Sequence, residues 1–266
     1  MNVFFKMCVC FLIAAGSVWG SASAGTGAEP SEDASNFTAK VGYDRTTGKY
    51  GQSTNSVTSI GSLTFIYDAG DYSFDLALPY VKQSGPGRLV AIAGRSPTVI
   101  IGPDQNASGQ GDITASATRY LLTEEDHGVD LDVGAIVKFA TASSSKGLGS
   151  GKNDLSLQSV LARSVGPFNF ALTLGYSFVG KPPDQGFKNA LYSSVDGSFR
   201  FNKELSIGMT YSDGGAVVTG LPASRDVTFY VNFKPRKGIK VEVYAISGRS
   251  TQSPDRGSGI TVAMDF

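Results

Sequence analysis

The residues that could carry chemistry are few. The single histidine, His127, follows Glu124, Glu125 and Asp126, and a histidine beside an acid is the pairing that general acid–base and triad chemistry uses. Here it sits in the brief run Thr123–Gly128, where a solvated turn residue is the simpler reading, so no catalytic residue is assigned and no enzymatic activity is expected. Asp104-Gln-Asn-Ala-Ser-Gly-Gln-Gly-Asp112 places oxygen side chains before a glycine as a calcium loop does, but Ala115 stands where the bidentate glutamate belongs. Gly149-Ser-Gly-Lys152 has neither the glycine spacing nor the following Ser/Thr of a phosphate cradle. Both cysteines, Cys8 and Cys10, lie in the first apolar run. No metal and no cofactor are expected.

Stepping outward from these residues, the N-terminus carries Lys6, the apolar run Met7–Val18 and then Ser21-Ala-Ser-Ala24. The run is shorter than the ~20 residues a spanning helix needs, so residues 1–24 are expected to be a secretory signal peptide cleaved after Ala24. Residues 25–36, polar and aperiodic, are expected to be a flexible periplasmic lead-in. Lysine plus arginine equal aspartate plus glutamate at 23 each, and no basic block is present, which argues against nucleic acid as a partner.

From Phe37 to Phe266 the chain alternates apolar and polar residues in short runs, the two-residue period of β-strands. The terminal run sets Ile260, Val262, Met264 and Phe266 on one face and Gly259, Thr261, Ala263 and Asp265 on the other. The hairpin Asn153–Gly180, folded at Gly166-Pro167, repeats the pattern with Phe168, Phe170, Leu172, Leu174, Tyr176 and Phe178. A soluble sandwich alternates in the same way, so connection lengths must decide. The expected strands are Phe37–Asp44, Val57–Asp68, Tyr72–Lys82, Gly111–Leu122, Val129–Ala142, the two of the hairpin, Asn189–Phe201, Leu205–Ser212, Arg225–Lys234, Ile239–Ser247 and the terminal one, with Gln83–Gln110 as a long Pro/Gly-rich insertion. Connections alternate short and long without exception, and the aromatics sort into two bands at the strand ends. Those are the marks of an all-β, transmembrane, antiparallel up-and-down β-barrel of about 12 strands ending on a C-terminal Phe. The barrel is expected over residues 37–266, in the outer membrane of a Gram-negative bacterium after signal-peptide cleavage. Its expected partners are outer-membrane lipid, a small-molecule solute, and the barrel-assembly machinery through the C-terminal strand.

The polar face carries nine acids (Asp75, Asp112, Asp130, Asp132, Asp154, Asp196, Asp226, Glu242, Asp265) and five bases (Lys40, Lys138, Arg200, Lys234, Lys240). The candidate lumen-lining residues are Lys138, Asp154, Asp196, Arg200, Lys234 and Glu242. Some must pair across strands, because a buried lone charge is costly. Twelve strands leave room for either a narrow pore or a packed polar plug. Two readings follow: a channel or transporter for passive uptake of small solutes, or a closed barrel whose structural or surface-interaction role is carried by its external loops.

Five short motifs add a family resemblance. They are Leu78-Pro-Tyr-Val81, Gly109-Gln-Gly-Asp-Ile113 running to Arg119-Tyr-Leu-Leu122, Val133-Gly-Ala-Ile-Val-Lys138, Leu148-Gly-Ser-Gly-Lys-Asn-Asp154 and Gly175-Tyr176. Over Gly61–Phe201 the chain resembles the outer-membrane β-barrel family named for the meta pathway of phenol degradation. The resemblance implies a transporter-like barrel, with small aromatic or hydrophobic compounds as its solutes. The chain departs from the family pattern Lys-x-Pro-Thr-Gly at Lys138-Phe-Ala-Thr-Ala142, and no substrate site is carried across.

Overall fold

The computed structural model describes residues 36–183 and 185–266, without the side chains of 87–90 and 95–105. The expected signal peptide and, but for Asn36, the expected lead-in lie outside the described residues. Thirteen strands and one helical turn are present there: β1 Phe37–Gly48, β2 Ser56–Ala69, β3 Tyr72–Ile92, β4 Arg95–Gln110, β5 Thr114–Leu122, α1 Glu124–His127, β6 Asp130–Lys138, β7 Asp154–Val165, β8 Phe168–Phe178, β9 Ala190–Arg200, β10 Leu205–Asp213, β11 Arg225–Arg236, β12 Ile239–Gly248 and β13 Arg256–Asp265.

Each strand pairs antiparallel with its neighbours, and β1 pairs with both β2 and β13. The sheet therefore closes on itself. The seam runs from Thr38 opposite Asp265 to Thr47 opposite Arg256, and the Phe266 amide donates to the Phe37 carbonyl at 2.9 Å. Thirteen strands make twelve staves, because β4 and β5 form one stave interrupted at residues 111–113: β3 pairs with β5 over Tyr72–Ala77 and with β4 from Tyr80 onward. Closure satisfies the backbone laterally, as lipid requires.

Several expected boundaries change: β1 continues past Asp44 to Gly48, and β5 begins at Thr114 in place of Gly111. The insertion Gln83–Gln110 is not a loop between strands; β3 runs on to Ile92 and β4 returns from Arg95 as one hairpin. Its prolines, which suggested irregular chain, fall where the pairing shifts register. Pro86 and Pro103 lie at the shift between Gly85 and Gly87, and Pro97 lies at the shift between Val90 and Ile92. A residue without an amide hydrogen is tolerated at such bulges. The expected strand Val129–Ala142 ends at Lys138, where the chain turns out of the ladder and the Phe139 amide donates to Ile113 O at 2.8 Å. The run around His127 closes a single helical turn, with the Gly128 amide on Glu124 O at 2.8 Å, and His127 is exposed.

The alternation divides the side chains cleanly. In β8 every second residue, from Phe168 to Phe178, is exposed on the outer face while Asn169, Ala171, Thr173, Gly175 and Ser177 are buried inside. Aromatic rings gather at the short-turn end: Phe37 stacks on Phe65 at 5.9 Å and meets Phe266 at 6.1 Å, and Phe199 contacts Phe168 at 5.1 Å and Phe201 at 4.9 Å. Arg119, an outward charge at this end, lies over the Tyr72 ring at 5.7 Å. At the other end Tyr176 and Phe178 pack edge to face at 4.9 Å.

Inside, three tyrosine rings lie on glycines of the adjacent strand: Tyr192 on Gly175, Tyr230 on Gly208 and Tyr244 on Gly259. A β-carbon at any of these glycines would collide with the ring. Gly208→Leu is therefore expected to destabilise the barrel by about 1–3 kcal/mol, the usual cost of overpacking. Urea unfolding in detergent measures it, and Tyr230→Ala in the same chain should recover part of the loss. A Gly208→Leu protein as stable as the parent would show that the ring is not fixed there.

Candidate functional site: the barrel lumen

The six candidate residues belong to separate groups: Lys138, Asp154 and Asp196 are buried, and Arg200, Lys234 and Glu242 are half-buried. Lys138 and Asp154 stand directly opposite each other in the β6–β7 ladder. The Lys138 ammonium is fully buried and lies 3.0 Å from Asp112 Oδ2 and 3.2 Å from Asp154 Oδ2. It also donates to Ser150 Oγ and to the Lys152 carbonyl, each at 3.0 Å. The remaining carboxylate oxygens are held too: Asp112 Oδ1 accepts the Ala142 amide at 2.9 Å, and Asp154 Oδ1 accepts the Gly180 amide at 2.8 Å. Gly149 packs so closely on Asp112 that a β-carbon would sit 2.8 Å from its carboxylate. A lone charge could not remain there, but in this cluster each charge is paired, and Asp154 Oδ2 is held by the ion pair while the other polar atoms are hydrogen-bonded.

Its role is to fasten. Asp112 belongs to the break between β4 and β5, Ser150 and Lys152 to the loop after β6, and Gly180 to the loop after β8. Thr141 closes the break itself, since its hydroxyl accepts the Ile113 amide at 2.9 Å and donates to the Gly111 carbonyl at 3.1 Å. Above them Leu148 packs with Ile60, Val81 and Ala142.

Asp196 sits elsewhere on the wall. It accepts the Thr210 hydroxyl at 2.5 Å and the Tyr230 hydroxyl at 2.9 and 3.1 Å. Glu242 lies within electrostatic reach of Lys40, Asp44 and Asp196, and Lys40 also reaches Asp75. Arg200 and Lys234 are half-buried near the short-turn rim. Asp44 was absent from the sequence-derived polar face because the first strand was expected to end there. The strand continues to Gly48, and Asp44 is buried beside Gly259 and the Tyr244 hydroxyl. From the external loop after β1, Tyr50 folds over this side and joins Tyr230, Tyr244 and Ile246; its burial pushes the phenol pKa up.

The passage between these walls is occupied. The tip of the β3–β4 hairpin, Ile92-Ala93-Gly94, lies inside the barrel. The Ala93 carbonyl accepts the Ser156 hydroxyl at 2.5 Å and the Ser177 hydroxyl at 3.3 Å, and those hydroxyls are 2.8 Å apart. Gly94, at φ +73°, approaches Tyr192, Ser156 and Ile136 so closely that a side chain has no room. Ile92 is buried with Val179, Phe187 and Val217. In the sequence, the apolar stretches Leu89–Ala93 and Val99–Ile101 within the insertion are the signal for a flap or infolded segment.

Lys138→Met would leave Asp112 and Asp154 buried without a counter-charge, a change that ordinarily costs about 3–5 kcal/mol. The expected results are a lower urea midpoint and faster proteinase K cleavage of the loop after β6. Adding Asp112→Asn and Asp154→Asn should restore part of the stability. A Lys138→Met protein with unchanged midpoint and cleavage would remove the cluster from the fastening role.

Comparisons with known proteins follow the architecture. The chain is similar to the solved NanC porin (TM-score 0.52, 9% identity, 86% of this chain and 98% of that one). It is also similar to the KdgM porin (0.50, 10%, 85% and 99%) and to the translocator domain of the autotransporter NalP from Neisseria meningitidis (0.51, 10%, 88% and 90%). At these identities the likeness carries the fold alone. No curated protein sequence matches the chain. The family model described as "Putative MetA-pathway of phenol degradation" matches residues 29–266, well beyond the Gly61–Phe201 stretch whose motifs first suggested it, and the chain belongs to that family.

Proposed function

We propose that this protein is an outer-membrane channel for passive uptake of small solutes, with aromatic or hydrophobic compounds as the solute class its family suggests. The observation that carries the reading is the inner wall. Apart from the sealed Lys138 cluster, it presents Asp44, Asp75, Asp130, Asp132, Asp196, Asp226, Glu242 and Asp265 against Lys40, Arg200, Lys234 and Lys240. A wall with polar chains inward and apolar chains outward suits water within and lipid without. Export through a signal peptide over residues 1–24 and insertion by the barrel-assembly machinery through the terminal strand belong to the same reading, and no residue is given a catalytic part.

The seated hairpin favours the second reading, a closed barrel acting through its external loops, and conductance separates the two. In planar bilayers the channel reading expects small single-channel currents that rise when residues 87–103 are removed; a variant that folds but conducts no more than the parent would place the hairpin outside the ion path. No current from either protein would favour the closed barrel.

Rings of acidic side chains select cations. Under a potassium chloride gradient the reversal potential is expected to have the cation-selective sign, modest in size because salt at 0.15 M screens charges beyond about 8 Å. Asp196→Asn and Glu242→Gln together should reduce it. An anion-selective sign would show that these acids do not line the pathway.

A further inference from the structure

The hairpin tip occupies its seat as a ligand would. We propose that the socket of Val179, Phe187 and Val217, now filled by Ile92, binds the compact apolar part of a small solute that also carries an acceptor oxygen, and that such a solute enters by displacing the tip. The proposal rests on the channel reading for its purpose, but its geometry is independent of that reading.

The socket is built without the hairpin. Two external loops form it, and they are clipped together by a short antiparallel bridge between Phe187 and Val218. In that clip the Lys188 amide donates to the Val217 carbonyl at 2.7 Å, and the Thr219 amide and hydroxyl donate to the Gly186 carbonyl at 2.9 and 3.1 Å. The floor beside the socket, Ser156 and Ser177, belongs to the ladder of β7 and β8. Withdrawing the tip therefore leaves both parts in place: an apolar hollow and two inward hydroxyls.

The tip is made to move. Beyond Gly85 the hairpin pairs only with itself among the described strands, and its register shifts between Gly85 and Gly87, where Gly85 adopts φ +103°. This is the first of two breaks in the ribbon, the second being the register shift between Val90 and Ile92. Past the first, the described hold on the barrel includes the burial of Ile92 and Ala93, the hydroxyl bonds to one carbonyl, and the close approach of Gly94 to Tyr192, Ser156 and Ile136.

What must replace the tip defines the ligand. Ile92 supplies a branched four-carbon group, and Ala93 supplies an acceptor that two fully buried hydroxyls share. If the hydroxyls turn to each other, one donor is still left without an acceptor, and an unmet buried donor is costly. A hydrocarbon would fill the hollow and leave that donor unmet, while a polyol would bury hydroxyls against Val179, Phe187 and Val217. An aryl or alkyl ketone, aldehyde or ester meets both requirements.

Acetophenone is the probe, ethylbenzene the control without oxygen, and isothermal titration of the folded protein in detergent the readout; the heat-shifted band on gels verifies folding of every variant. Ile92→Ala removes the competitor's side chain and is expected to tighten acetophenone binding at least about tenfold. Ethylbenzene should bind more weakly than acetophenone, and Ser156→Ala with Ser177→Ala should erase that difference. In the mature chain, which on the expected cleavage after Ala24 keeps neither Cys8 nor Cys10, the pair Ile92→Cys and Val217→Cys should lose binding when oxidised and regain it on reduction. The proposal is overturned if Ile92→Ala binds no tighter than the parent, if the cross-link has no effect, or if the two probes bind alike. Bilayer currents test the channel reading separately: tip-dependent binding in a barrel that never conducts would keep the site and reject the channel, and a conducting barrel with tip-independent binding would do the reverse.

Discussion

Everything in this structure depends on the seam between β1 and β13. A sheet in a bilayer cannot leave backbone donors and acceptors at an open edge, since each unmet group in hydrocarbon costs several kcal/mol. The ladder from Thr38 opposite Asp265 to Thr47 opposite Arg256 removes that edge. Once the sheet is closed, the two-residue period of a strand sends alternate side chains into a common interior. That interior cannot be apolar throughout if the outer face is, so the same alternation that exposes Val41 and Tyr43 buries Lys40 and Asp44.

The interior solves the resulting charge problem in different ways on its two sides. Around Lys138 two carboxylates, a serine, a carbonyl and two backbone amides complete a closed set, and the loops that supply them are fixed in the process. Across the barrel Asp196 is met by Thr210 and Tyr230, and Lys40 serves both Asp75 and Glu242. Acids outnumber bases there, and large phenol rings laid flat on glycines fill the space that charge pairing leaves. The first side fixes the loops; the second gives the passage its polarity.

The architecture was legible because it follows from period and connection length, both of which are local. Facing residues were legible for the same reason: Asp196, Glu242 and Lys138 point inward as alternation requires. What the sequence hid was pairing at a distance. The motifs Gly109–Ile113, Val133–Lys138 and Leu148–Asp154 were visible as family marks, yet nothing in their spacing shows that Asp112, Lys138, Ser150 and Asp154 converge on one ammonium. Gly149-Ser-Gly-Lys152 looked like an ordinary loop, and its serine and glycine prove to be parts of that cluster. The hairpin misled for a reason of its own. Pro86, Pro97 and Pro103 argue against strand in a central position, but they sit at register shifts in a ribbon that rises above the wall, where no neighbour requires their missing amide hydrogens.

The strength of the two attachments decides which of them can yield. Burial of one isoleucine side chain is worth roughly 1.5–3 kcal/mol, and a neutral hydrogen bond contributes about 0.5–1.5 kcal/mol net. Ile92 and the two hydroxyl bonds to Ala93 together therefore contribute roughly 2.5–6 kcal/mol to the hold on the tip, before the entropy regained by a freed hairpin is subtracted. A hold of that size leaves the tip withdrawn for a fraction between roughly one part in seventy and one part in twenty-five thousand. A ligand shifts the balance once its free concentration c exceeds its Kd for the vacated seat by enough that RT ln(1 + c/Kd) matches that hold. The Lys138 cluster cannot release in the same way, because opening it strands charges in a buried place. On the proposal that the tip yields to a solute, the wall and its loops stay fixed while the hairpin moves, and such a barrel would stay closed to general leakage while responding to a solute that fits.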